Sequence, residues 1–229
     1  MRCPKYTDLP FDKTTTFLFL TDRSNICYLA RLTENEMARP KEFDPEQALD
    51  KATEVFWRRG YEATSMEDLT TSMGINRGSL YDTFGGKHEL FLACMDRYCN
   101  GMVASRLSML NQPGPELEAI RTFIRTMLEF GIAYPTRKGC LIVNTVMELA
   151  SHEKEIGNRV AQAMGDLEEA FFKALTRAKE KGELRDGRDP RSLARFLTTM
   201  MQGVIVMLKA GMPADALRDT VRTGLSVLD

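Results

Sequence analysis

The sequence predicts an all-α fold in two parts: an N-terminal three-helix helix-turn-helix domain and a larger C-terminal helical domain. Three observations lead there. Apolar residues recur at helical spacing through most of the chain beyond residue 41. Proline and glycine stand at the ends of those stretches, where they start and stop helices. Residues 64–91, TSMEDLTTSMGINRGSLYDTFGGKHELF, parse as a short helix, a glycine-containing turn and a second short helix. Beyond Leu110 only Leu141–Val143 is β-like, and it is embedded in a helical period.

Residues 1–36 differ from the rest. They hold two of the five cysteines, Cys3 and Cys27, few periodic features and a TTTFLFL stretch. That stretch is too short for a signal-peptide core, and no small-residue cleavage site follows it. Met37 opens MARPKEFDPEQAL, so residues 1–36 are expected to be an upstream-start or cloning extension. The alternative is a basic arm for a DNA minor groove, a role that suits only Arg39 and Lys41.

Residues 41–61 form an amphipathic helix. Asp44 is its N-cap, Pro45 its first residue, and Gln47 completes a capping box. Leu49, Ala52, Val55 and Phe56 make the buried stripe; Gly60 ends the helix and Tyr61 turns back into the core. Ser65 caps the next helix with Asp68 as partner, and Met66, Leu69 and Met73 form its apolar stripe. Gly74 suits the left-handed position after a helix end, Ile75 plugs the turn, and Asn76 caps the following helix. Spacing places Leu80, Tyr81 and Phe84 inward, and Arg77, Gly78, Ser79, Asp82 and Thr83 outward. Gly85-Gly86 stops that helix, and Lys87 opens a long one over His88–Leu110.

The helix from Arg77 to Phe84 is about 12 Å long at 1.5 Å per residue. It fits a major groove roughly 12 Å wide. Gly78 costs about 1 kcal/mol of helix stability against alanine, and lets the backbone approach DNA closely. The chain therefore reads as a DNA-binding regulator.

Residues 37–91 resemble the DNA-binding domain of the TetR family of bacterial repressors. The segment ALDKATEVFWRRGYEATSMEDLTTSMGINRGSLYDTFGGKHELF carries the resemblance in order and without gaps. The Gly60-Tyr61 break, the Thr64-Ser65 cap, Gly74 and the LYxxFxxK run all coincide with the family pattern. The resemblance implies that Arg77, Gly78, Ser79 and Tyr81 face a palindromic double-stranded operator. It also implies that Lys87, and Thr64 or Ser65, touch phosphates. Thr83 stands where many members have histidine, and Gly86 where a polar residue is common.

Composition bounds the partners. At 229 residues, 43% hydrophobic and 28% charged, the chain is an ordinary globular protein of one to two domains, with no apolar run long enough for a membrane span. Net charge is −1, and Met37–Tyr98 holds 8 Lys/Arg against 11 Asp/Glu, so DNA affinity needs a local basic face. Arg39, Lys41, Arg58, Arg59, Arg77 and Lys87 are available for one. The two histidines, His88 and His152, lack metal-ligand spacing. No nucleophile–base, phosphate-loop or dinucleotide motif occurs, so neither an enzyme nor a cofactor is expected. An odd cysteine count without CxxC suits a reduced cytoplasm.

Beyond Leu110, helices are predicted over Pro115–Ala133, Gly139–Ser151, Lys154–Lys181, Pro190–Ala210 and Pro213–Leu228. The divisions are thus 1–36, 37–90 for DNA binding, and 91–229 for effector binding and dimerisation. Pro190–Ala210 is apolar on more than one face, so with Pro213–Leu228 it either forms a homodimer interface or closes a monomeric core. Phe123, Met127, Phe130, Tyr134, Met164, Phe171 and Met200 either line an adaptable pocket for a small apolar effector or are plain core.

KGCLIVNTVMEL, residues 138–149, resembles the GCL segment of the electrophile- and oxidant-sensing branch of the same family, in which the cysteine is the sensor. Cys140 lies near a helix start after Arg137 and Lys138, a setting that makes thiols reactive. Its alternative role is a small buried hydrophobe. The readings carried forward are a ligand-released repressor, a repressor switched at Cys140, and a helical interaction module or thiol enzyme without DNA binding.

Overall fold

The computed structural model describes residues 43–134 and 138–229 in full, and the backbone of two strands, β1 (Thr16–Thr21) and β2 (Cys27–Leu32). The strands pair antiparallel, Thr16 opposite Leu32 and Thr21 opposite Cys27, within a unit of their own, Met1–Asp44. The sequence reading contains no hairpin there, because a continuously apolar run lacks the alternation that marks a half-buried strand. The expected start at Met37 and the arm residues Arg39 and Lys41 lie outside the described residues, as does Arg137.

The second unit, Pro45–Asp229, is helical. α1 (Pro45–Arg59) opens on proline as expected. It buries Ala48, Ala52, Phe56 and Trp57, whereas the predicted Leu49 and Val55 are only half-buried. The stripe is turned because α1 packs on three helices: α2 and α4 of its own domain, and α7 of the next. Phe56 meets Phe91 edge-on at 4.9 Å, and Tyr61 packs on Phe91 at 5.0 Å, so Tyr61 does fold back into the core.

α2 (Met66–Met73) starts with a complete capping box between Ser65 and Asp68 and ends on Gly74 at φ +74°. The Gly74 amide donates to Thr70 O at 2.9 Å, and lacking Cβ the residue occupies this left-handed region at no steric cost. Asn76 then caps α3 (Arg77–Phe84) by accepting from Ser79 N at 2.8 Å.

α4 (Lys87–Tyr98) is followed by a π-helical segment, Cys99–Val103, then α5 (Ala104–Leu107) and a 3-10 segment, Ser108–Asn111. Spacing predicts one regular helix over His88–Leu110; the structure interrupts it. Gly101 lies in the π segment, where the missing side chain weakens the α form.

α6 (Glu116–Ala133), α7 (Leu141–Glu148), α8 (Lys154–Glu180), α9 (Pro190–Lys209) and α10 (Ala214–Leu225) complete the unit. The C-terminal core packs Ile120 and Phe123 of α6, Phe171 and Leu175 of α8, Leu197 of α9 and Val221 of α10. Each fully buried large side chain of this kind contributes roughly 1.5–3 kcal/mol. Gly131 brings α6 close to α9: a Cβ there meets Leu208 Cδ2 at 2.5 Å. The inner row of α9, Leu193, Leu197, Met201 and Val204, is buried. Its outer residues Phe196, Val206 and Met207 remain 43%, 42% and 41% exposed in the single chain.

Candidate nucleic-acid interface and adjoining cavity

The interface is built on α3. Leu80 is its one fully buried residue and anchors it to the core. Arg77, Gly78, Tyr81 and Asp82 are exposed. Tyr81 is 49% exposed, so periodicity alone misplaces it inward, whereas the family resemblance places it outward. Its ring covers Gly86, where a Cβ lies 3.6 Å from Tyr81 Cε1 and 3.1 Å from Glu89 Oε2. Ser79 and Thr83, both expected outward, are half-buried. Gly78 serves its own helix cap too, since a Cβ there meets Asn76 Oδ1 at 3.2 Å.

The residues expected at phosphates differ in their surroundings. Thr64 is 1% exposed, and in the single chain its hydroxyl is engaged in the turn, donating to Gly60 O at 2.6 Å. Ser65 is exposed, but its hydroxyl accepts from Asp68 N and donates to the Asp68 carboxylate. Lys87 stands at the head of α4 with its ammonium 4.3 Å from the Tyr61 ring centre. Of the other candidate cations, Arg59 pairs with Asp68 at 2.5 Å and Arg58 lies 4.0 Å from Glu54. Among the described residues no carboxylate pairs with Arg77 or Lys87. Those two cations remain free for an anionic partner.

A second feature adjoins this domain. A cavity of about 1200 Å3, counting the part open to solvent, lies between α1, α4–α6, α8 and α9. Phe123, Met127 and Phe130 of α6, with Tyr134 just beyond, line one wall; Cys140, Met164 and Met200 line others. Phe171 does not reach it. That residue is fully buried behind the wall, edge-on to Phe123 at 5.7 Å. Sequence reasoning missed Trp57, Tyr98, Lys138 and Arg106, which also line the cavity. Trp57, the single tryptophan, was the available signal.

One corner of the cavity is the joint between the domains. Trp57 Nε1 donates to Gly139 O at 3.1 Å, and its ring meets Tyr98 edge-on at 5.1 Å. Lys138, 6% exposed, places its ammonium 3.7 Å from the Trp57 ring and 4.6 Å from Tyr134, and 2.5 Å from Glu54 Oε2. Its charge is thereby directed to α1 rather than to Cys140. Cys140 occupies the N-cap of α7 in extended conformation and accepts a hydrogen bond from Tyr98 OH at 3.5 Å. Burial and the neighbouring Cys140 push the Cys99 thiol up to about 11; burial pushes Cys94 up to about 12. Both are therefore protonated and poor nucleophiles near neutral pH.

At the other end of α7, the Glu148 carboxylate accepts from the backbone amides of Tyr61 and Glu62, at 3.1 and 2.7 Å. Gly60 adopts φ +85°, and a Cβ there would lie 2.7 Å from Glu148 Oε2. One short helix thus touches the cavity with its first turn and holds the turn before the helix-turn-helix with its last. Among the described residues no cluster of His, Cys, Asp and Glu is arranged to hold a metal ion.

Two family profiles match the chain. "Bacterial regulatory proteins, tetR family" covers residues 48–94, and "Tetracyclin repressor-like, C-terminal domain" covers residues 117–223. The HTH-type transcriptional regulator YezE of Bacillus subtilis (strain 168) is 39% identical over 195 residues, 84% of this chain and 100% of that protein. The transcriptional repressor ComR of Escherichia coli (strain K12) is 30% identical over 82% of this chain and 90% of its own. Among solved structures, the TetR family regulator CifR, as a cysteine mutant complexed with 26-bp double-strand operator DNA, superposes with a TM-score of 0.76. It is 28% identical over 83% of this chain and 100% of its own.

Proposed function

This chain belongs to the tetR family of bacterial regulatory proteins and is a DNA-binding transcriptional regulator, and we propose that it acts as a homodimeric repressor released from a palindromic operator by a small, largely apolar effector. The observation that carries the reading is the outward face of α3, where Arg77, Gly78 and Tyr81 stand clear of the core beside Lys87. In a dimer the two copies of α3 read successive major grooves about 34–36 Å apart. The effector binds the cavity. α4 and α7 carry the change to the helix-turn-helix, since both touch the cavity lining and the DNA-binding domain. A hundredfold loss of operator affinity needs roughly 2.7 kcal/mol of preferential effector binding to the non-DNA state. The protein acts in the cytoplasm; no described helix is long and apolar enough to cross a membrane.

An electrophoretic mobility shift on the DNA upstream of the chain's own gene tests this. A shift that unrelated competitor DNA does not abolish is expected; uniform competition by any DNA counts against operator recognition. A second reading, switching at Cys140, is supported by the place of that thiol in the cavity wall and at the head of α7. Under it, an alkylating electrophile releases operator from wild type but not from Cys140→Ser, and equal release from both rules it out.

A further inference from the structure

The cavity is apolar but not electrically neutral. Among the described residues its lining holds two cations, Arg106 and Lys138, and no carboxylate. The two cations differ. Lys138 is already satisfied, with Glu54 at 2.5 Å and two aromatic faces around its ammonium. Arg106 lies over the Phe130 ring at 4.5 Å, and among the described residues nothing accepts a hydrogen bond from it or pairs with its charge. Stacking on a ring leaves the in-plane N–H fork of a guanidinium free, and that fork matches a carboxylate in two parallel hydrogen bonds. Gln202, also in the lining, buries an unpartnered Oε1, an acceptor that a carboxylate cannot satisfy, so a carboxylate head belongs at Arg106 and not beside Gln202. A hydrocarbon-only ligand would strip water from Arg106 and return nothing for it. A cationic ligand would meet a like charge and find no acid.

We propose that the cavity takes an amphipathic carboxylate, its head paired with Arg106 and its apolar body against Met127, Met164 and the aromatic wall. This rests on the reading of the cavity as the effector site and narrows its chemical class. A monoanion suits the site, because one guanidinium neutralises it.

Trp57, the only tryptophan, lies in the cavity wall and reports occupancy by fluorescence. Octanoate, 1-octanol and octylammonium share one chain length and differ in the head. Titrated into the full chain, octanoate is expected to bind at least about tenfold more tightly than octanol, a difference of about 1.4 kcal/mol. Arg106→Gln should remove that preference while octanol binding stays within about twofold, which also certifies the fold of the variant. If Arg106→Gln loses octanol binding too, Arg106→Lys decides: a retained octanoate preference supports the pairing, and its loss overturns it. Equal affinity for octanoate and octanol in wild type, or tighter octylammonium, overturns the carboxylate class but leaves the cavity a ligand site. Binding of none of the three overturns both.

Discussion

Single residues divide into those committed to the fold and those left free. Lys87 illustrates the second kind. Its ammonium is held over the Tyr61 ring with no carboxylate partner, so its direction is set while its charge is unspent. Lys87→Ala should weaken binding to all DNA sequences alike and flatten the salt dependence by about one unit of slope. Filter binding from low to high salt measures this, and an unchanged slope would remove Lys87 from the phosphate contacts. Glu116 illustrates the first kind. It is 5% exposed, and its carboxylate accepts from Arg177 Nε at 3.0 Å and Lys181 Nζ at 2.8 Å. The hydrogen bond from Arg177, with help from Lys181, outweighs burial and holds its pKa below the usual value. The stabilisation is therefore present above the ordinary glutamate pKa, about 4.3, and drains as pH falls through the lowered folded value. Glu116→Ala should cost about 2 kcal/mol at neutral pH, and the cost should shrink toward zero in acid. Parallel wild-type and variant stability curves down to low pH would contradict this.

At the scale of elements, α7 is the informative case. Its eight residues follow Cys140 in the cavity wall and end at the Glu148 carboxylate beneath the Tyr61 and Glu62 amides. Glu148→Ala should speed hydrogen exchange at those two amides by about tenfold, corresponding to about 1.4 kcal/mol of lost local protection. Amides in the C-terminal core should be unaffected. Exchange at Tyr61 and Glu62 that ignores the substitution would mean the carboxylate does not hold the turn. The π segment that follows α4 matters at the same scale. Such segments recur at functional sites, and this one carries Cys99 and Val103, the latter in the cavity lining.

At the scale of the whole molecule, α9 faces two ways. Its inner row closes the core, and its outer residues Phe196, Val206 and Met207 are left without cover in the single chain. Exposed apolar residues along one helix suit a two-fold contact, in which the same patch meets itself. Wild type should run as a dimer in light scattering at micromolar concentration. Phe196→Glu together with Met207→Glu should yield a folded monomer whose operator affinity falls by about tenfold or more, since both heads no longer bind as one. A stable wild-type monomer, or a variant that remains dimeric, would place the interface elsewhere.

Much of this protein was legible from local rules. The Ser65–Asp68 box, Gly74, the Asn76 cap and Gly85 depend on neighbours within a few residues, so spacing alone located the two helices of the helix-turn-helix and the turn between them. Helix limits in the C-terminal half followed from apolar periodicity with shifts of one or two residues at most ends. What local rules could not supply was decided by contacts between residues far apart in sequence. Phe171 lies behind the cavity wall, edge-on to Phe123 of another helix. Tyr81 escapes the core, because a helix of eight residues needs only Leu80 as its anchor. The joint of Trp57, Lys138 and Glu54, and the grip of Glu148 on the Tyr61 turn, join residues more than eighty apart. Helical periodicity names the face a side chain lies on; only the packing of one helix against another decides what that face meets, and here that packing assembled the cavity and its link to the DNA-binding domain.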